Sequence, residues 1–227
     1  MKSKEIKLNI KSIRKAAVLI TVASVALGMA LPTSAVASDA PTELTSDDEL
    51  LIHALNADDL SGQGKVELVE AYHAATAELR LNVDIDAGET GYVSTTLPDG
   101  TVLSLGAEPV LQEGASARAG LSGQYRIWGN NGYSSHEFYL QFARVSSNSN
   151  YTRIVGNGTG HSIGAWGIAT YDSSSKFINV WNRTETSAQS AAARGGANFT
   201  FFNGLAQHDV GVDAWVYRGN LSTALFG

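Results

Sequence analysis

Along His208–Tyr217, Val210, Val212, Ala214 and Val216 alternate with Asp209, Gly211, Asp213, Trp215 and Tyr217. Period two sends successive side chains to opposite faces of a strand, so one row should be buried while the other presents acids and aromatics. The pattern recurs upstream. Phe138, Leu140 and Phe142 alternate with Glu137, Tyr139 and Gln141, and further strands are expected over Gln124–Trp128, Tyr151–Val155, Ile163–Tyr171, Lys176–Trp181 and Ala197–Phe202. Between them lie Gly129–Gly132, Ser146–Asn150, Gly156–Gly160 and Asp172–Ser175, rich in residues that suit turns. Thr184–Arg194 fits a short helix or a small-residue strand, because its alanines serve either. About seven strands in roughly 105 residues, closed by His208–Tyr217, predict an antiparallel β-sandwich or small barrel over 121–227. A parallel α/β arrangement would need crossover helices that this stretch lacks.

The pattern over 38–112 is different. Ser46-Asp47-Asp48-Glu49 has the form of a capping box and opens a helix carrying Leu50, Leu51, Ile52 and Leu55. Ser61–Gly64 breaks the chain, and a second helix is expected from about Lys65 to Leu79, with Val66, Val69, Tyr72 and Leu79 at helical spacing. At Leu81 the period switches to two, through Leu81–Asp86 and Tyr92–Leu97, with Pro98-Asp99-Gly100 as a turn and Thr101–Leu105 returning. The expectation is a small α+β segment. Glu113–Gly120, built of small residues, reads as a linker between it and the β module.

Charge and the N-terminus change the picture further. Met1–Lys15 carries five lysines and Arg14, followed by the apolar run Ala16–Leu31 and the small-x-small exit Ala35-Val36-Ala37. That is the form of a secretory signal peptide over 1–37, cleaved after Ala37. The apolar run is 16 residues long, short of the ~20 that span a bilayer. No stable transmembrane segment is expected after signal removal, and the product is expected to be secreted and extracellular. The lysine-rich start resembles those of Gram-positive bacterial signals. The net charge of −6 divides into +5 over 1–37, −13 over 38–119 and +2 over 120–227. An acidic segment joined by a linker to a slightly basic module suggests a propeptide, with Arg118 as the processing position. The chain has no cysteine, which excludes disulfides, thiolate-held metals and a cysteine nucleophile. No basic run offers a nucleic-acid footprint.

All four Trp, all seven Phe and six of eight Tyr lie beyond residue 120, where they serve first as core. On the outward rows, Asp213, Trp215 and Tyr217, with Tyr139 on its own strand, combine ring faces with polar groups. Such surfaces stack on sugar rings and bond their hydroxyls, or anchor a protein partner. His136, His161, His208 and Asp209 stand near strand ends and are the candidates for acid–base chemistry. Against that, His136 and Glu137 are neighbours that point to opposite faces of a strand, as are His208 and Asp209. No spacing matches a metal-ligand or nucleophile motif, so neither metal nor cofactor is expected. Gly156–Gly160 reads as a turn; it lacks the lysine of a phosphate loop.

Two functional expectations follow. The favoured one is a secreted bacterial β-sandwich binding or effector module, aimed at cell-envelope glycan or a surface protein, with a bacteriocin-like toxin as its more aggressive form. The alternative is a secreted hydrolase using the His and Asp residues at the strand ends. Convergence of His136, His161, His208, Asp209 and Asp213 within hydrogen-bonding reach would favour the hydrolase; scatter would favour the binder.

Overall fold

The structure, a computed structural model, describes residues 5–7, 43–110, 122–147, 149–201 and 206–227. Apart from residues 5–7, the expected signal segment lies outside the described residues, with Ala37. So does the linker with Arg118. The described chain is mostly β. A short strand, β1 (Glu5–Lys7), is followed by helices α1 (Ser46–Ala54) and α2 (Gly62–Glu78), and then by β2 (Arg80–Asp84), β3 (Gly91–Thr96) and β4 (Val102–Val110). Beyond the linker come β5 (Ser122–Asn130), β6 (Ser134–Arg144), β7 (Thr152–Ala165), β8 (Thr170–Tyr171), β9 (Phe177–Asn182), β10 (Ala191–Phe201), β11 (Ala206–Tyr217) and β12 (Asn220–Phe226). One sheet runs β1-β3-β4-β5-β6-β7; the other runs β2-β12-β11-β10-β8, with β9 also on β10. All pairings are antiparallel except that of β1 with β3.

The two sheets form a sandwich whose inner faces follow the period-two pattern. Phe138, Leu140 and Phe142 of β6 are buried, as are Val210, Val212, Ala214 and Val216 of β11. The sheets approach closely where glycine replaces a side chain. A Cβ on Gly195 would lie 2.4 Å from the Phe138 ring, and one on Gly129 would lie 2.6 Å from Val212. Along one side the layers are stitched together: Arg153 bridges to Thr184, and the Ile154 N–H donates to the Arg183 carbonyl at 2.8 Å.

The expected acidic segment and the β module pair with one another. β4 lies beside β5, and β2 lies beside β12, so strands from both sides of the 113–120 linker share both sheets. Ile52, Leu68 and Tyr72 of the helices belong to the same buried cluster as Leu103, Phe138 and Val212. One core serves the whole. A period-two ribbon carries no label for its partner strands, so the sequence could not assign this one.

The helices close one end of the sandwich. Tyr72 packs beside Tyr133, and a Cβ on Gly132 would press on Leu55 at 2.8 Å. The cap of α1 sits one residue earlier than the sequence suggested: the Thr45 hydroxyl accepts the Asp48 N–H at 3.2 Å, and the Asp48 carboxylate accepts the Thr45 N–H at 2.9 Å. Ser61 caps α2 by accepting the Gly64 N–H at 3.1 Å.

Two further expectations are corrected, and one left open is settled. Gly156–Gly160 is not a turn but the middle of the 14-residue strand β7; Gly156, Gly158 and Gly160 all have positive φ, and the register against β6 shifts twice there. Glycines in the left-handed region insert extra residues as bulges without breaking the strand. His208–Tyr217 is not the closing strand, because a two-residue turn at Arg218-Gly219 returns the chain as β12. Finally, the alanines of 191–193 enter a strand, and Gly195 lets that strand lie against the Phe138 ring.

Candidate binding face

The outer face of the second sheet is built by four neighbouring strands. β11 sends Asp209, Gly211, Asp213, Trp215 and Tyr217 outward, because the intervening valines and Ala214 are buried. β10 adds Ala192, Arg194, Gly196 and Asn198, which lie opposite Trp215, Asp213, Gly211 and Asp209. β9 supplies Phe177, Asn179 and Trp181 in the same phase, since Ile178 and Val180 pack against the core. β12 adds Ser222, Ala224 and Phe226 opposite Trp215, Asp213 and Gly211.

Arg194 is the centre of this face. Its Nε donates to Asp213 Oδ1 at 2.6 Å and its Nη2 to Oδ2 at 2.8 Å, a two-pronged pair. The guanidinium also lies 3.9 Å from the centre of the Phe226 ring and 5.7 Å from that of Trp181, within the range of cation–π attraction. The bond to Asp213 holds the Arg194 pKa above its ordinary value. Beside it, Gly196 and Gly211 make a floor without side chains. A Cβ on Gly196 would stand 2.8 Å from the Phe226 ring and 3.0 Å from the Phe177 ring. Trp181 is 52% exposed, the most open of the large apolar side chains described. Asn179 is exposed next to it, and the Asn198 amide donates to Asp209 at 3.3 Å. The result is a rigid row of rings with carboxylate, guanidinium and amide groups between them.

Of the expected binding residues, Asp213, Trp215 and Tyr217 share this face, each half-buried by lateral neighbours. The Tyr217 hydroxyl marks its edge, 3.4 Å from the Ser187 carbonyl. Tyr139 does not join them. It lies on the outer face of the first sheet, donating to Glu137 at 2.8 Å, while Glu137 and Glu108 both accept from Arg126. Arg126 in turn lies 4.8 Å from the centre of the Trp128 ring. Bonds from Arg126 hold the Glu137 carboxyl below its usual range, and the bond to Glu137 raises the Tyr139 phenol. The outer face of the first sheet carries a ladder of paired charges; that of the second carries the exposed Trp181.

His136 and His161 are neighbours, and His208 stands apart from them. His136 is 1% exposed and faces inward in phase with Phe138. Ser134 donates to Asn131 at 2.9 Å and lies 3.0 Å from His136 Nε2, which casts Nε2 as the donor and leaves Nδ1 without a partner. Burial, and secondarily the His161 ring, push the His136 pKa down to about 3; burial and Lys176 push His161 down to about 4. Their ring centres are 6.1 Å apart. His208 is exposed near Asp47 of α1, Asp209 bonds Asn198, and Asp213 is taken by Arg194. The five residues do not converge. No group of three or more metal-ligating side chains occurs among the described residues.

Phe177, Trp181, Arg194 and Phe226 were not among the expected site residues. Phe177 and Trp181 alternate with Ile178 and Val180, a signal present in the sequence. Arg194 fell in the ambiguous 184–194 stretch, and Phe226 in a strand that the pattern did not reveal.

No protein-family model and no curated protein matches this chain. Among solved structures, it resembles a hypothetical protein, lmo2686, from Listeria monocytogenes EGD-e. The TM-score is 0.36 and the identity 17%, over 60% of this chain and 95% of that one. Among the described residues, no helix is long and apolar enough to cross a membrane.

Proposed function

We propose that the protein is a secreted bacterial binding module that recognises cell-envelope glycan through the outer face built by β9, β10, β11 and β12. The observation that carries this reading is Trp181, half exposed beside a clamped Arg194–Asp213 pair, with Phe177, Phe226 and Trp215 in the same plane of the sheet. Preordered rings stack on sugar faces at little entropic cost, and the flanking amide and carboxylate groups suit sugar hydroxyls. The separation of the His136–His161 pair from His208, Asp209 and Asp213 supports a binder over the hydrolase.

The acidic segment takes a different part from that of a removable mask. It contributes strands to both sheets and helices to one end, and leaves the Trp181 face clear. Cleavage after Arg118 would then nick the sandwich and leave its two pieces paired through β4–β5 and β2–β12. The test of function is retention on purified cell wall. Trp181→Ala and Trp215→Ala should each weaken retention and together abolish it, with unchanged unfolding curves. Full retention by the double variant would refute the reading.

A further inference from the structure

At the end of the sandwich away from the helices lies a polar cleft of about 680 Å³, lined by Asp86, Arg144, Ser146, Ser149, Tyr151 and Arg218 among others. Arg218 sits there at a backbone cost. The β11–β12 connection has two residues, with φ of +48° at Arg218 and +79° at Gly219. A turn with both central residues in the left-handed region favours Asn-Gly, and a long side chain at the first place is disfavoured. Gly219 meets its own requirement, since a Cβ there would collide with the Asp86 carboxylate. Arg218 has no such local reason.

The turn is held from below by a buried acid. Glu185 is 2% exposed; one carboxylate oxygen accepts the Arg218 N–H at 2.9 Å and the other accepts the Thr152 N–H at 2.9 Å. A single buried carboxylate thus pins the turn carrying Arg218 and the strand start next to Tyr151. The walls are equally ordered. Arg144 pairs with Asp86 and donates to the Asn150 carbonyl, while the Ser149 hydroxyl accepts the Tyr151 N–H at 3.0 Å. The second Asp86 carboxylate oxygen is buried, away from the open cleft. The neighbouring acids are occupied: Asp84 accepts the Asp86 and Ala87 N–H groups, and Glu89 accepts the Asp84 N–H. The Arg218 guanidinium lies 5.2 Å from the centre of its neighbour Tyr217 and forms no ion pair among the described residues.

We infer that this cleft is a second binding site, specific for a polyhydroxylated ligand bearing one anionic group, such as an acidic sugar residue. Arg218 takes the carboxylate or phosphate; the hydroxyls of Ser146 and Tyr151 take ligand hydroxyls. Backbone strain at a non-glycine residue persists only where surrounding structure enforces it, and here Glu185 does so while aiming a cation into a cleft.

The test uses Arg218→Asn, since asparagine suits the left-handed position better than arginine. Calorimetric titrations would use a uronate oligosaccharide, a glycerol-phosphate oligomer, a neutral chito-oligosaccharide and inorganic phosphate. The wild type is expected to bind one of the two acidic polyols, and which one binds separates carboxylate from phosphate recognition. Arg218→Asn should weaken that binding by roughly tenfold or more, as expected for a lost charge-assisted bond. Its thermal midpoint should match or exceed wild type, and Trp181→Ala should leave this binding intact. Three results would overturn the inference: neither acidic polyol binds, inorganic phosphate binds as tightly as they do, or Arg218→Asn binds unchanged. Loss in Trp181→Ala alone would assign the binding to the aromatic face and also overturn it. Failure of cell-wall retention, by contrast, leaves the cleft untouched.

Discussion

Replacing His136 by leucine isolates a pH effect that the fold builds in. In the folded protein His136 titrates at about 3, against an ordinary value of 6.5, because burial disfavours its charged form. The folded state therefore binds fewer protons than the unfolded chain between these values. Stability is complete above pH 6.5 and falls progressively as the pH drops toward 3. At pH 4.5, two units below the unfolded value, the loss from this residue is about 2–3 kcal/mol. Leucine preserves apolar contact with Phe199, and Ser134 still donates to Asn131. Urea unfolding followed by tryptophan fluorescence at pH 7.0 and 4.5 gives the comparison. Both proteins share the other titrating groups, so the wild type should lose about 2–3 kcal/mol more than His136→Leu over that interval. Equal losses would refute the argument that His136 is held neutral in the core.

Other consequences are equally testable. Glu185→Ala removes two charge-assisted bonds to the Thr152 and Arg218 N–H groups and should cost about 3–5 kcal/mol, with Glu185→Gln costing less, by chemical denaturation. Gly195→Ala places a methyl 2.4 Å from the Phe138 ring and should cost about 1–3 kcal/mol through overpacking; an unchanged midpoint would mean that the two sheets can separate freely. Limited trypsin cleavage after Arg118 should leave the two pieces together on size exclusion until denaturant is added; their separation without denaturant would contradict the shared sheets. Asp213→Asn weakens the Arg194 clamp and should loosen cell-wall retention less than Trp181→Ala.

Much of the architecture was legible because the inner faces obey a strict period of two. Val210–Val216 and Phe138–Phe142 each declare one buried row, and the start of the first helix was legible to within one residue, at Ser46 where the cap is Thr45. His136, offered by the sequence as an acid–base candidate, shares the phase of Phe138, Leu140 and Phe142 and lies in the core. The bulged course of β7 was hidden because glycines with positive φ look alike in turns and in bulged strands. β12 was hidden because Leu221, Thr223 and Leu225 are few and follow a tight turn without an Asn-Gly signature.

The amino-acid sequence alone determined the β class, the outward placement of Asp213, Trp215 and Tyr217, and the absence of disulfide support, since these depend on local alternation and composition. Tertiary structure decided which strands meet. Pairing β2 with β12 and β4 with β5 merged two apparent segments into one core. Aligning β9, β10, β11 and β12 brought Trp181, Arg194, Asp213 and Phe226 together across a stretch of sequence that separates them widely. Backbone hydrogen bonds carry no residue-specific code, so partner choice emerges only when all the inner faces are buried at once.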